Sequence, residues 1–258
     1  MFSKKKSILF IVIAFVFSLN ISFAGSIDGC KEYSKLGIPG QQGELLCRKG
    51  YLLAHSAEHK TPIWVIEHLT AEKANGTIPR PKPDPFKPDP DLKKGERAEL
   101  ADYKNSPYDR GHMAPAADMH WNKQAMIDCF YLSNMVPQVG KGMNQGIWKN
   151  LEEDVRKWAI DRDELYIFTG PIYEGGVKET IGKNKVAIPT HLYKIVYDPN
   201  KAEAIAFIMP NEKLDSKDMP NYIVTIRDVE EKTGLDFLSR LDKHVQDVIE
   251  TKKAKGLW

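Results

Sequence analysis

Hydrophobic positions along the chain fall into two kinds of pattern. Residues 62–70 (PIWVIEHLT), 165–169 (LYIFT), 191–197 (HLYKIVY) and 202–209 (AEAIAFIM) are short runs rich in β-branched and aromatic side chains, the composition that fits a pleated, buried strand. The last two flank Asp198-Pro199-Asn200-Lys201, a turn sequence that predicts a hairpin, and Asn75-Gly76 marks a turn after the first. Apolar residues return every three or four positions over 122–131, 144–160 and 229–241, the last with room to continue to Thr251; that period predicts helices. Clustered strands, segregated helices and no βαβ alternation predict an α+β fold with a largely antiparallel central sheet flanked by helices.

Two segments break the pattern. Between positions 79 and 90 six of twelve residues are proline, so that stretch is neither helix nor central strand. The chain before it is too short for a separate domain. It therefore reads as an extended surface segment pinned across one domain, 25–258, whose N-terminal part (25–60) carries cysteines. The second segment is the N-terminus: Lys4, Lys5 and Lys6, an apolar run over 8–19, then Ser22-Phe23-Ala24. A basic head, a short apolar stretch and small residues at the cut compose a secretory signal peptide cleaved after Ala24. Its apolar run falls short of the roughly 20 residues that span a bilayer. The expected product is secreted or periplasmic and has no membrane attachment.

Charge removes one easy argument. The 37 Lys+Arg against 35 Asp+Glu include the three leader lysines, so the mature chain carries 34 against 35. A nucleic-acid function must then rest on a local constellation and not on overall basicity. Of the three cysteines, Cys30 and Cys47 lie seventeen apart in the N-terminal segment, and export permits them to pair. Cys129 sits in the apolar stretch 126–132 with no polar neighbour to activate it, and is expected to be a buried thiol.

Chemistry concentrates in two places. Residues 108–119 (YDRGHMAPAADM) suit a strand end running into a turn. There His112 is a candidate general base, with an unperturbed pKa near ~6.5, and Arg110 shares its strand face. A guanidinium beside an imidazole suits an anion bound between them and keeps the base neutral. Residues 142–158 (GMNQGIWKNLEEDVRKW) predict a helix opened by Asn144 as its cap. Glu152 would lie about 80° round and ~12 Å along that helix, with Arg156 one turn further on the same stripe; a solvated helix face would look similar. The sets His112, Asp118, His120 and His55, His59 lack the remaining ligands of a zinc motif. His68 and His191 fall on strand patterns and read as structural, and Ser133 has no nucleophile-elbow setting.

Taken together, DRGHMAP at 109–115, Ser133-Asn134-Met135-Val136-Pro137-Gln138, and Asn144-Gln145-Gly146 followed by Trp148, Leu151 and Glu152 closely resemble the sugar-non-specific DNA/RNA endonucleases of the ββα-metal class, the family that includes endonuclease G. The resemblance runs from about Trp64 to Tyr197, returns weakly at 233–237, and leaves the leader and the cysteine-bearing segment outside it. It implies a ββα-metal active-site motif with His112 as the base that activates water. Asn144 falls on the direct protein ligand of a catalytic Mg2+, which Mn2+ may replace, and Glu152 on the acid that holds the metal's water. Arg110 and Arg156 fall on phosphate-side arginines, and Arg80 on a further substrate-contacting arginine. Asp109 falls in an orienting position, and Asn134 and Gln138 in supporting ones. DNA and RNA are the implied partners and 5′ phosphates the implied products.

Two rival readings use the same residues: a secreted nucleic-acid-binding protein without catalysis, and a phosphodiesterase for small substrates. The joint presence of His112, Asn144 and Glu152 argues against the first. Digestion of plasmid compared with a chromogenic phosphodiester separates the second. No feature of the sequence identifies an inhibitor partner or an oligomeric state.

Overall fold

The computed structural model describes residues 28–258; the leader expected at 1–24 lies outside the described residues. In chain order the elements are β1 (Glu44–Cys47), β2 (Leu52–Ser56), β3 (Thr61–Thr70), the one-turn helices α1 (Ala71–Ala74) and α2 (Leu100–Tyr103), β4 (Tyr108–His112), α3 (Lys123–Asp128), β5 (Met135–Val139), α4 (Trp148–Arg162), β6 (Glu164–Ile172), β7 (Thr180–Ile181), β8 (Val186–Ala187), β9 (His191–Asp198), β10 (Glu203–Pro210), β11 (Ile223–Val224), α5 (Ile226–Thr233) and α6 (Lys243–Glu250). One seven-stranded sheet runs β1-β2-β3-β6-β9-β10-β11 with every neighbouring pair antiparallel. β4 and β5 form a separate antiparallel ribbon, and β7 and β8 a small hairpin.

Alternation along the strands divides the core into two layers. On β3, Val65 and Leu69 belong with Ile167 of β6 and Val196 of β9, and this layer is covered by Trp148, Leu151 and Val155 of α4. Trp64 and Ile66, one residue out of phase, belong with Phe168 and Ile195, and here Ile226 and Val229 of α5 and Ile249 of α6 close the layer. The β4–β5 ribbon and α4 thus lie on one side of the sheet, and everything that shapes the pocket described below is built on that side.

The expected hairpin forms between β9 and β10, with Asp198 opposite Glu203. The Asp198 carboxylate accepts from the Asn200 and Lys201 N–H groups at 2.8 and 3.0 Å, which fixes the turn. Two expected helices differ. The one placed over 122–131 is α3, capped by the Asn122 side chain and ended by Asp128. The one placed over 229–241 is two helices. α5 opens on a reciprocal Thr225–Asp228 capping pair and stops at Gly234, whose φ of 69° is left-handed. Leu235 and Phe237 then enter the core from a loop, and α6 restarts behind Asp242. Apolar spacing alone does not distinguish a loop that inserts two side chains into the core from a helix turn that does the same.

The N-terminal segment contributes β1 and β2 to the main sheet, and Cys30 is bonded to Cys47 with the Cα atoms 5.8 Å apart. Cys129 is a buried free thiol whose Sγ donates to the Met126 carbonyl at 3.2 Å, and burial pushes its ionisation up. The proline-rich segment is extended and pinned. Its Lys87 exchanges backbone hydrogen bonds with Phe130 and Leu132, and buried Asp89 accepts from Arg48 through both oxygens at 2.6 and 2.7 Å. No helix among the described residues is long and apolar enough to cross a membrane.

Candidate active site

The β4–β5 ribbon carries Asp109, Arg110 and His112 on one strand and Gln138 on the other. Gly111 has to be glycine, because a Cβ there would come within 2.0 Å of Gln138 Oε1. Asn134, fully buried, clamps the chain just past His112: its Oδ1 accepts from the Ala114 N–H at 2.9 Å, and its Nδ2 donates to the Ala114 and Cys129 carbonyls at 2.9 and 3.0 Å. Gln138 is also buried, against Gly111, and neither of its amide atoms has a hydrogen-bond partner among the described residues. The motif residues Asn134 and Gln138 therefore shape the ribbon and do not line the pocket.

Asn144 corrects the sequence expectation. It does not cap α4, which starts only at Trp148; it sits in an irregular turn over Gly140–Ile147, where Lys141, Gly142 and Gly146 are non-helical. Gly142 has φ of 88°, and a Cβ there would meet Lys213 Cγ at 2.6 Å, so glycine is required on two counts. The helical stripe from Asn144 to Glu152 does not exist as such, yet the turn brings the two to one pocket. The Asn144 Nδ2 donates to Asp109 Oδ2 at 2.8 Å, and Gln145 Nε2 donates to the same oxygen at 2.7 Å. A carboxylate only accepts, so this bond fixes which end of the amide is which and leaves the Asn144 oxygen uncommitted.

A pocket of about 430 Å³ gathers Arg80, Asp84, Arg110, His112, Asn144, Lys149, Glu152 and Arg156. The His112 ring packs against Phe86 and Phe130, at 5.5 and 5.3 Å between centroids, and these two rings touch each other at 5.1 Å, so the three form one cluster. The guanidinium of Arg110 lies 4.1 Å over Phe86, and that of Arg80 lies 5.3 Å over Phe130. Nε2 of His112 is shielded and unpartnered. Burial, with Arg80 and then Arg110 adding to it and Asp84 opposing, lowers the imidazole to about 3. Arg110 thus acts in the expected sense, but burial is the main cause. Glu152 is pushed up to about 7 by burial, against the pull of Lys194 and Arg156, and has no ion pair within 4 Å among the described residues.

Two of the arginines arrive already paired. Arg156 donates to buried Asp118 at 2.9 Å, and Arg80 holds Asp84 through two hydrogen bonds at 2.8 and 2.6 Å. Arg110 has no ion pair within 4 Å among the described residues. Beneath α4 lies a polar layer that the sequence reading passed over: Glu67 on β3 and Lys194 on β9 are 3% and 1% exposed in otherwise apolar strands. Lys194 donates to Thr169 at 2.9 Å and lies 5.1 Å from the Trp148 ring. Burial, followed by nearby Asp118, raises Glu67 well above the carboxylate range. A lone Glu in PIWVIEHLT and a lone Lys in HLYKIVY were the available signals, since buried charges are rare without partners. Asp84 and Phe86 were hidden in the proline-rich segment.

The remaining candidates lie apart from this pocket or serve it structurally. His55 is buried with Nε2 at 2.9 Å from the Glu96 carbonyl, and His59 packs on Tyr173. His68 lies between Glu32 and Glu164 and stacks on Tyr166, His191 contacts Thr190, and Ser133 donates to Asp89. Asp118 is committed to Arg156. Away from the pocket, Glu230, Asp236 and Glu250 converge within 4.8 Å, but Arg227 already pairs with Glu230 and Glu250 at 3.1 and 2.9 Å.

The family described as DNA/RNA non-specific endonuclease matches residues 31–244, so the similarity reaches well into the cysteine-bearing segment and past residue 237, further at both ends than the motifs alone indicated. The chain is 39% identical over 222 residues to Nuclease C1 of Cunninghamella echinulata var. echinulata, covering 81% of this chain and 88% of that protein. It is 35% identical over 223 residues to mitochondrial endonuclease G of Homo sapiens, covering 81% and 74%. Among solved structures, a crystal structure of an EndoG/EndoGI complex, whose title concerns the mechanism of EndoG inhibition, matches with a TM-score of 0.79 and 33% identity, over 89% of this chain and 98% of that one.

Proposed function

The chain belongs to the DNA/RNA non-specific endonucleases, and from that premise we propose a specific chemistry for it: metal-assisted hydrolysis of phosphodiester bonds in DNA and RNA, without sequence preference, leaving 5′ phosphates. The observation that carries this reading is the single pocket that holds His112, Asn144, Glu152 and three arginines. The donors fit a hard divalent ion, Mg2+ or Mn2+. Asn144 offers an amide oxygen whose nitrogen is tied to Asp109, and Glu152 offers a carboxylate with no ion pair within 4 Å among the described residues. Asn144 is the direct ligand in this reading, and Glu152 acts through water.

His112 is the general base. It is neutral over the working range, its Nε2 makes no hydrogen bond among the described residues, and its ring is packed against Phe86 and Phe130. It takes the proton of the attacking water. Arg110, which has no ion pair within 4 Å among the described residues, faces the phosphate, while Arg80 and Arg156 add charge at the edges. A bound divalent ion supplies Lewis-acid stabilisation of charge on the phosphorane and the departing 3′ oxygen. Asp109 keeps the Asn144 amide turned the right way round. None of these groups needs a ribose 2′-hydroxyl, and from that follows indifference to sugar.

The reading extends to one catalytic domain over 25–258 and to export. The leader's lysine head and lack of arginine suit a secretory signal better than a mitochondrial transit peptide, although the human relative is named as mitochondrial. N-terminal sequencing of the exported protein should begin at Gly25. The decisive experiment digests plasmid DNA and RNA with purified protein, with and without chelator. Cleavage of both, abolished by EDTA and restored by added Mg2+, is expected. Full activity in excess chelator rules the metal out, and turnover of a chromogenic phosphodiester without plasmid cleavage makes the protein a small-substrate phosphodiesterase.

A further inference from the structure

Asp84 places a carboxylate among the arginines where a nuclease needs to receive a phosphate. Arg80 Nε and Nη2 donate to its two oxygens at 2.8 and 2.6 Å, the two-point grip by which a guanidinium also takes phosphate oxygens. Asp84 lines the same pocket as Arg110, His112, Asn144 and Glu152. The hydrogen bonds from Arg80, and more weakly the nearness of His112 and Arg110, hold its ionisation below the usual carboxylate range, so the group stays charged.

The pair is open and not part of the core. Arg80 and Asp84 keep side-chain exposures of 44% and 33%, so solvent and ligand reach both, and an ion pair this exposed is weak. The backbone around the acid is stiff. Pro83 and Pro85 flank Asp84, which holds it to extended conformations, and Phe86 next to them is packed against His112 and under Arg110. Of the two partners, the long arginine side chain is the one that has room to turn.

We propose that Asp84 is an internal competitor for the substrate phosphate: it holds Arg80 while the pocket is empty and yields it to the nucleic-acid backbone, which lowers affinity for nucleic acid and speeds release of the cut strand. The inference rests on the reading of this pocket as a phosphodiester site. A structural role for Asp84, that of holding Arg80 in position for substrate, predicts the opposite effect of its removal.

The test measures binding of a labelled DNA duplex in chelator, where nothing is cut, by wild type, Asp84→Asn, Asp84→Ser, Arg80→Ala and the Arg80→Ala, Asp84→Asn double variant. Melting curves check that each is folded. The expected result is binding tighter by about 3- to 10-fold for both Asp84 variants, as for removal of a competing charge. The slope of log affinity against log salt should change by less than about 0.9, because Arg80 already meets its phosphate in the wild-type complex and no contact is added. In the Arg80→Ala background the gain should largely vanish. Weaker binding by the Asp84 variants, or an equal gain with and without Arg80, overturns the proposal. Wild type that binds DNA without any gain in the variants overturns this inference alone, and wild type that fails to bind DNA overturns the functional reading with it.

Discussion

At the scale of residues, the pocket holds groups whose ionisation its walls have moved. His112 is lowered to about 3, chiefly by burial, from an ordinary value near ~6.5. The unfolded chain therefore takes up a proton that the folded chain refuses between those values, and stability should fall as pH drops through that window. Melting curves from neutral pH downward check this, and His112→Asn should flatten the decline. The same substitution, or His112→Ala, should cut turnover about 100-fold or more while binding is largely kept; a variant within a few-fold of wild type would return His112 to a packing role. Glu152 moves the other way, up to about 7 through burial. Water carried by a divalent ion is held better by the ionised carboxylate, so apparent metal affinity should rise with pH through about 7, and metal binding should release protons. Titrations of Mg2+ at several pH values check it, with Glu152→Gln expected to bind weakly and without that dependence. Asn134 is a different case, since its three hydrogen bonds are all buried. Asn134→Ala should cost on the order of 3 kcal/mol through the unpaired Ala114 and Cys129 groups, and lower activity by loosening the chain beyond His112.

At the scale of elements, what was legible in the sequence was local and periodic. β3, β6, β9 and β10 announced themselves by β-branched and aromatic runs, and the β9–β10 turn by Asp198 and Pro199. β1 and β2 did not, being short and set among glycine and charge in the cysteine-bearing segment. The motif residues were legible, but the local structure that presents Asn144 was not. An irregular turn with Gly142 at φ of 88° has no periodic signature, and the helix assumed there would have aimed the side chain by a geometry the turn does not have. The α5–α6 break was missed because Leu235 and Phe237 keep a helix-like spacing while packing from a loop. The Cys30–Cys47 bond ties residue 30 to β1, away from the chemistry. Closing a loop of this length contributes about 3 kcal/mol, so reduction should lower the melting temperature by about 5–10 °C and leave the rate of native protein nearly unchanged. A non-reducing peptide map with Cys129 in a linked peptide would contradict the pairing.

At the scale of the whole molecule, the question is how a chain with 34 basic and 35 acidic residues beyond position 24 would hold a polyanion. Overall charge provides no long-range attraction, so binding has to be generated inside the pocket. There the supply is small. Among the described residues Arg110 has no ion pair, Arg80 and Arg156 must first release or share Asp84 and Asp118, and Lys149 is itself paired with Glu153 at 2.9 Å. Each phosphate neutralised contributes about −0.9 to the slope of log affinity against log salt on duplex DNA. With two to four such contacts available, the slope should lie at about −2 to −4. Anisotropy of a labelled duplex across a salt series in chelator checks it. A much steeper slope would mean a basic track along the surface that the pocket does not account for, and affinity would then have to be traced to lysines outside it. A slope in the expected range ties affinity to the same few side chains that surround the scissile phosphate. Binding and catalysis would then share their contacts, and lengthening the substrate should gain little.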